Sequence, residues 1–149
     1  MDPMAEIRLT FFQECEEQRA ALENGLLSMQ EGESDSETVN AVFRAVHSVK
    51  GGAGAFGLEA LVRFAHTFET TLDKVRSGAL KADEAVLKVM LRATDILADL
   101  VQAAKNGALE MNDATYPVVA EATGSKTRAE VQRELHAANQ AVDAVVMQD

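Results

Sequence analysis

Apolar side chains recur three or four residues apart along almost the whole chain, and that spacing decides the fold class. In the first segment Phe12, Cys15, Leu22, Leu26 and Met29 stand at steps of three, four and seven, and Gly32 follows as a stop. Val39, Val42, Phe43, Val46, Val49 and Ala53 line one face of a second helix. Leu58, Leu61, Ala65, Phe68, Leu72 and Val75 line a third, which ends before Gly78. A fourth, from about Asp83 to Asn106, carries Leu87, Met90, Thr94, Leu97, Val101 and Ala104 and stops at Gly107. Ser34-x-x-Glu37 offers the second helix a capping box, with Ser36 a rival N-cap. A weaker segment over 111–122 contains Tyr116-Pro117, which bars a helix interior there unless Pro117 sits in a first turn. Thr127-x-x-Glu130 then opens a last helix with Val131, Leu135, Ala138, Val142 and Val145. No stretch alternates apolar and polar residues long enough for a strand. Four stripes joined by short links predict an all-α fold, an antiparallel four-helix bundle over residues 4–107. Residues 108–149 form an extension whose helix packs outside the bundle or projects from it.

Composition narrows the function classes. Apolar residues make up 47% of the chain, aromatics only 5%, and there are two prolines, a mix that favours helix over sheet. The 24 acidic and 14 basic residues give a formal charge of −10, which argues against nucleic acid or an anionic membrane as the main partner. Cys15 is the single cysteine, so neither an intrachain disulfide nor a cysteine metal cluster is available. A reduced, cytoplasmic setting is the economical reading. No apolar run approaches the roughly 20 residues of a membrane span. A self-contained four-stripe core needs no second copy, so a monomer is expected.

The stretch HSVKGGAGAFG, residues 47–57, stands apart from this pattern. Gly52-Ala53-Gly54-Ala55-Phe56-Gly57 matches G-x-G-x-x-G, the turn that holds a dinucleotide pyrophosphate. That turn works only between a strand and a helix N-terminus. Here a helical segment precedes the glycines, so they lie at a helix C-terminal end, whose partial negative charge repels phosphate. The dinucleotide reading fails.

His47 has more to offer. Successive helical residues turn by about 100°, which puts His47 on the border between the apolar face and solvent. Gly51 and Gly54 follow it at i+4 and i+7, and Lys50 shares its side at i+3. The imidazole therefore stands beside a cation with no side chain above it. On the third helix Glu69 lies about 40° from the seam at Ala65 and leans toward a neighbouring helix, with His66 on the same flank. A carboxylate accepting Nδ1–H from His47 would fix the tautomer and leave Nε2 as a nucleophile. A solvated surface histidine is the plainer alternative for a border position.

FRAVHSVKGGAGAFGLEAL resembles the phosphorylated helix of the histidine phosphotransfer (HPt) domains found at the N-terminus of the chemotaxis kinase CheA. The family pattern H-S-x-K-G-G-A-G-x-F-G is matched at every fixed position from His47 to Gly57. FFQECEEQRAALENGLL and AHTFETTLDKVRSG resemble the first and third helices of that domain, with His66 and Glu69 at the family's histidine and glutamate. The similarity spans roughly residues 6–105 and thins in the tail. The resemblance implies that His47 accepts the γ-phosphoryl group of ATP from a separate kinase domain. It implies that Glu69 holds Nδ1–H, Lys50 neutralises the phosphoryl oxygens and His66 supports the network. Gly51, Gly52 and Gly54 would give a partner domain access to the imidazole.

Phosphohistidine would then pass its group to an aspartate of a CheY- or CheB-type response regulator. ATP is expected on the kinase domain and Mg²⁺ on the regulator, with no cofactor or metal held by this chain. The chain should not phosphorylate itself, and residues 108–149 would lead toward a linker and kinase region. The alternatives are a free-standing phosphotransfer protein of another relay, with the same chemistry, or a helical interaction module that is never phosphorylated.

Overall fold

A computed structural model describes residues 3–33, 35–107 and 128–148, with the side chains of 141–148 outside that description. It contains α1 (Pro3–Gln30), α2 (Ser36–Ala55), α3 (Glu59–Arg76), α4 (Glu84–Lys105) and α5 (Arg128–Gln148). Among the described residues there is no strand. No helix of the described residues is long and apolar enough to cross a membrane. The weak segment over 111–122 and the Thr127 cap lie outside the described residues.

Two of the helix starts, those of α2 and α4, rest on aspartate, while α3 follows Leu58 with no side-chain cap. Asp83 caps α4 by accepting the Val86 N–H at 2.9 Å. Asp35 caps α2 by accepting the Thr38 N–H at 2.8 Å, which corrects the serine expectation: Ser36 is already helical, and Ser34 lies outside the described residues. A carboxylate satisfies an orphan N–H and also complements the positive helix end, so it outcompetes neighbouring hydroxyls. The Thr38 hydrogen bonds in turn hold the Asp35 carboxyl below its ordinary range.

The glycine run divides into two kinds. Gly57 has φ 67°, donates to the Gly54 carbonyl at 3.2 Å, and is followed by Leu58 donating to Ala53 at 3.0 Å. Those bonds close α2 in a Schellman motif, with Leu58 and Ala53 buried together beneath it. Gly51, Gly52 and Gly54 instead lie inside the last turns of α2.

Helix register follows from a few contacts. Gly52 on α2 meets Phe11 early on α1, while Gly25 late on α1 meets Val42, so the two run antiparallel. On α3, Arg76 meets Phe43 while Glu69 meets Lys50, which again reverses direction. Arg8 near the start of α1 donates to the Ala104 carbonyl near the end of α4, at 3.2 Å, closing the ring of four. The expected antiparallel bundle is therefore present. Its interior holds Leu22, Leu26, Val42, Val46, Leu61, Phe64, Phe68, Leu72, Met90, Ile96 and Leu100, all essentially inaccessible.

The last helix packs outside the bundle, one of the two placements expected. It lies against α3 and α4, burying Val131 and Leu135. Thr71 Oγ1 donates to Asn139 Oδ1 at 2.9 Å within that contact, satisfying a polar pair that is otherwise costly to bury. Ala138 is half-buried, and the side chains of Val142 and Val145 lie outside the described residues.

Gly51 and Gly52 are neighbours with opposite expected behaviour. A Cβ at Gly52 would sit 2.5 Å from Phe11 Cδ1, inside the ring's own volume. Gly52→Ala should therefore lower stability by about 1–3 kcal/mol through overpacking. A Cβ at Gly51 meets nothing within 4 Å. Gly51→Ala should raise stability by up to about 1 kcal/mol, the helix-propensity difference. Urea unfolding of the two variants beside the parent checks both signs.

Candidate phosphotransfer site

The antiparallel α2–α3 pair places His47, Lys50 and Glu69 together, although they come from helices separated by a turn. Glu69 has only 12% of its side chain exposed, yet both its oxygens are used. Oε2 lies 2.5 Å from His47 Nδ1, and Oε1 accepts from Lys50 Nζ at 2.7 Å. Burial pushes the Glu69 carboxyl up, but hydrogen bonds from Lys50 and His47, with their charge, pull it lower still, so it sits below its ordinary range. An ionised carboxylate only accepts, so the proton of the contact belongs to His47 Nδ1. In the neutral ring the lone pair then resides on Nε2.

The ring is also accessible, with 61% of the His47 side chain exposed. Gly51 and Gly54 leave open space along its stripe. Gly52 differs from the access role expected of it: its missing Cβ admits the Phe11 ring, so its first duty is packing α1 against α2. His66 is exposed on α3, and among the described residues its ring makes no hydrogen bond or ion pair. It does not join the network expected of it. Cys15 is no rival nucleophile, since burial and the nearby Glu14 push its thiol up to about 12.

Phe43, which contacts His47, and Arg76, which contacts Phe43, were not legible as site residues. Phe43, counted among the apolar face, is half-buried and stacks on the imidazole with centroids 5.9 Å apart and planes 11° from parallel. The Arg76 guanidinium lies over the Phe43 ring, 3.9 Å from its centroid. The spacing of four between Phe43 and His47 was the available signal for the first. Arg76 offered none, because its approach depends on the α2–α3 register.

Among the described residues no group of three His, Cys, Asp or Glu side chains is placed to hold a metal ion. Fold and site together thus define a class: an all-α bundle presenting an exposed imidazole whose inner nitrogen is held by a half-buried carboxylate. The chain belongs to the Hpt domain family, whose model matches residues 6–107. It is 67% identical over 104 residues to the chemotaxis protein CheA of Rhizobium meliloti (strain 1021), covering 70% of this chain and 14% of that protein. It is 56% identical over 106 residues to CheA of Cereibacter sphaeroides, covering 69% of this chain and 16% of that one. The matched region is thus a small part of each full-length relative.

Among solved structures the chain is similar to the phosphorylated P1 domain of CheA3 in complex with CheY6 from R. sphaeroides. The TM-score is 0.70 at 27% identity, covering 89% of this chain and 98% of that one.

Proposed function

We propose that this chain is the phosphotransfer domain of a CheA-type chemotaxis kinase, carrying a phosphoryl group on His47 between a kinase domain and a CheY- or CheB-type regulator. The observation that carries this reading is the 2.5 Å contact of an ionised Glu69 with Nδ1 of an otherwise exposed His47. The similarity to CheA proteins, and to the phosphorylated P1 domain of CheA3 in complex with CheY6, supports the same role.

The chemistry follows from the geometry. The Nε2 lone pair attacks the γ-phosphorus of ATP held by the kinase domain, an N–P bond forms, and the P–O bond to ADP breaks. Nδ1–H stays with Glu69, whose negative charge stabilises the positive character the ring gains in attack. Lys50, anchored to the other oxygen of Glu69, brings a cation to the site that offsets phosphoryl charge. In the second step a regulator aspartate attacks phosphorus, the P–N bond breaks, and the imidazole leaves as the neutral ring. Mg²⁺ for that step is assigned to the regulator, ATP to the kinase domain, and the setting is cytoplasmic.

A label chase tests the proposal. Protein incubated with labelled ATP should take up acid-labile label only when a CheA kinase fragment is present, and should lose it to an added CheY-type receiver. No uptake from any competent kinase would refute the carrier role.

A further inference from the structure

We propose that Phe43 and Arg76 form a clamp that sets the plane of the His47 imidazole, making both positioning residues for phosphoryl transfer. The inference rests on the carrier reading of His47. A hydrogen bond at Nδ1 fixes one point of the ring, and the ring can still tilt about the Nδ1–Oε2 line. The Nε2 lone pair lies in the ring plane, so tilt changes the direction of attack. An in-line displacement needs that direction fixed before the phosphoryl donor arrives.

Phe43, one turn before His47, supplies the second constraint, a parallel ring face at 5.9 Å and 11°. Phe43 is itself held, because the Arg76 guanidinium rests on its ring at 3.9 Å. Arg76 is held in turn by Asp73 Oδ1 at 2.6 Å. Asp73, Arg76 and Glu69 all belong to α3, so one helix grips the imidazole twice: directly at Nδ1, and through the ring of Phe43. A half-buried phenylalanine packed at the edge of the core thereby acquires a task beyond packing.

Phosphoramidate is the suitable probe, since a small donor removes docking from the measurement. Nε2 attacks its phosphorus, the N–P bond to His47 forms, and ammonia leaves as the donor's P–N bond breaks. Phe43→Leu and Arg76→Gln should each slow uptake roughly 5–10-fold, a modest share of what misorientation costs. Phe43→Tyr, which keeps the ring face, should restore the rate. With a kinase fragment the loss should appear in kcat and leave KM in place. NMR relaxation of the His47 ring should show it more mobile in Phe43→Leu than in the parent, at unchanged circular dichroism.

A folded Phe43→Leu with full rate and parental ring mobility would overturn the clamp. If the parent protein takes no label at His47 from either donor, the carrier reading fails instead. Ring relaxation, which needs no phosphorylation, still decides the clamp in that case: equal mobility in parent and Phe43→Leu rejects it.

Discussion

His47→Gln should take up no label from ATP and a kinase fragment, while unfolding at nearly the same urea concentration as the parent. The side-chain amide has no lone pair basic enough to attack phosphorus, so loss of the single nucleophile takes uptake to background. The fold should tolerate the change, because His47 is 61% exposed and the amide can still donate to Glu69. Substitutions of this kind stay within about 0.5 kcal/mol. His66 and His136 are also exposed, and among the described residues neither ring has a carboxylate on its nitrogen. Neither should therefore substitute for it. Label persisting in the variant would place the acceptor elsewhere.

Glu69→Ala should slow phosphoryl uptake about 100-fold, the scale on which an orienting partner or positioned proton acceptor contributes. It removes three things at once: the acceptor for Nδ1–H, the charge that stabilises the ring during attack, and the anchor of Lys50. The same residue predicts an acid limit for stability. The Glu69 carboxyl lies below its ordinary value of 4.5 in the folded protein. Its contribution is therefore complete above about pH 4.5 and is lost as pH falls through the lower folded value. The stability difference between parent and Glu69→Ala should be constant near neutrality and shrink below about pH 4.5. Urea titrations of both proteins across that range read the window directly. A difference that grows on acidification would assign the opposite sign to Glu69.

The fold was largely legible because its signal is repetitive. Leu61, Ala65, Phe68 and Leu72 face inward along α3 as their spacing requires, and Gly78 ends that helix with φ 85°. Caps were less so. Asp35, Ser36 and Ser34 are adjacent residues of similar capping ability, and only the path of the chain decides which carbonyl group opens the helix. At the site, His47 could be matched with Glu69 and Lys50 placed on the same side, because each lies near a stripe whose direction periodicity supplies, but the Lys50–Glu69 ion pair was not foreseen. Gly52 could not be separated from Gly51 and Gly54, since its role depends on where Phe11 of another helix falls. The same limit hid Arg76, whose partner Phe43 is brought to it only by the register of two antiparallel helices.

The position of the phosphoryl group on the protein tests the account most directly. Protein carrying ¹⁵N-labelled histidine, phosphorylated by a CheA kinase fragment, would be examined for ³¹P–¹⁵N coupling, with the tautomer of the unphosphorylated ring read from its ¹⁵N shifts. The account predicts that His47 carries its proton on Nδ1 before reaction and phosphorus on Nε2 afterwards. Phosphorus on Nδ1, on His66 or on His136 would contradict it.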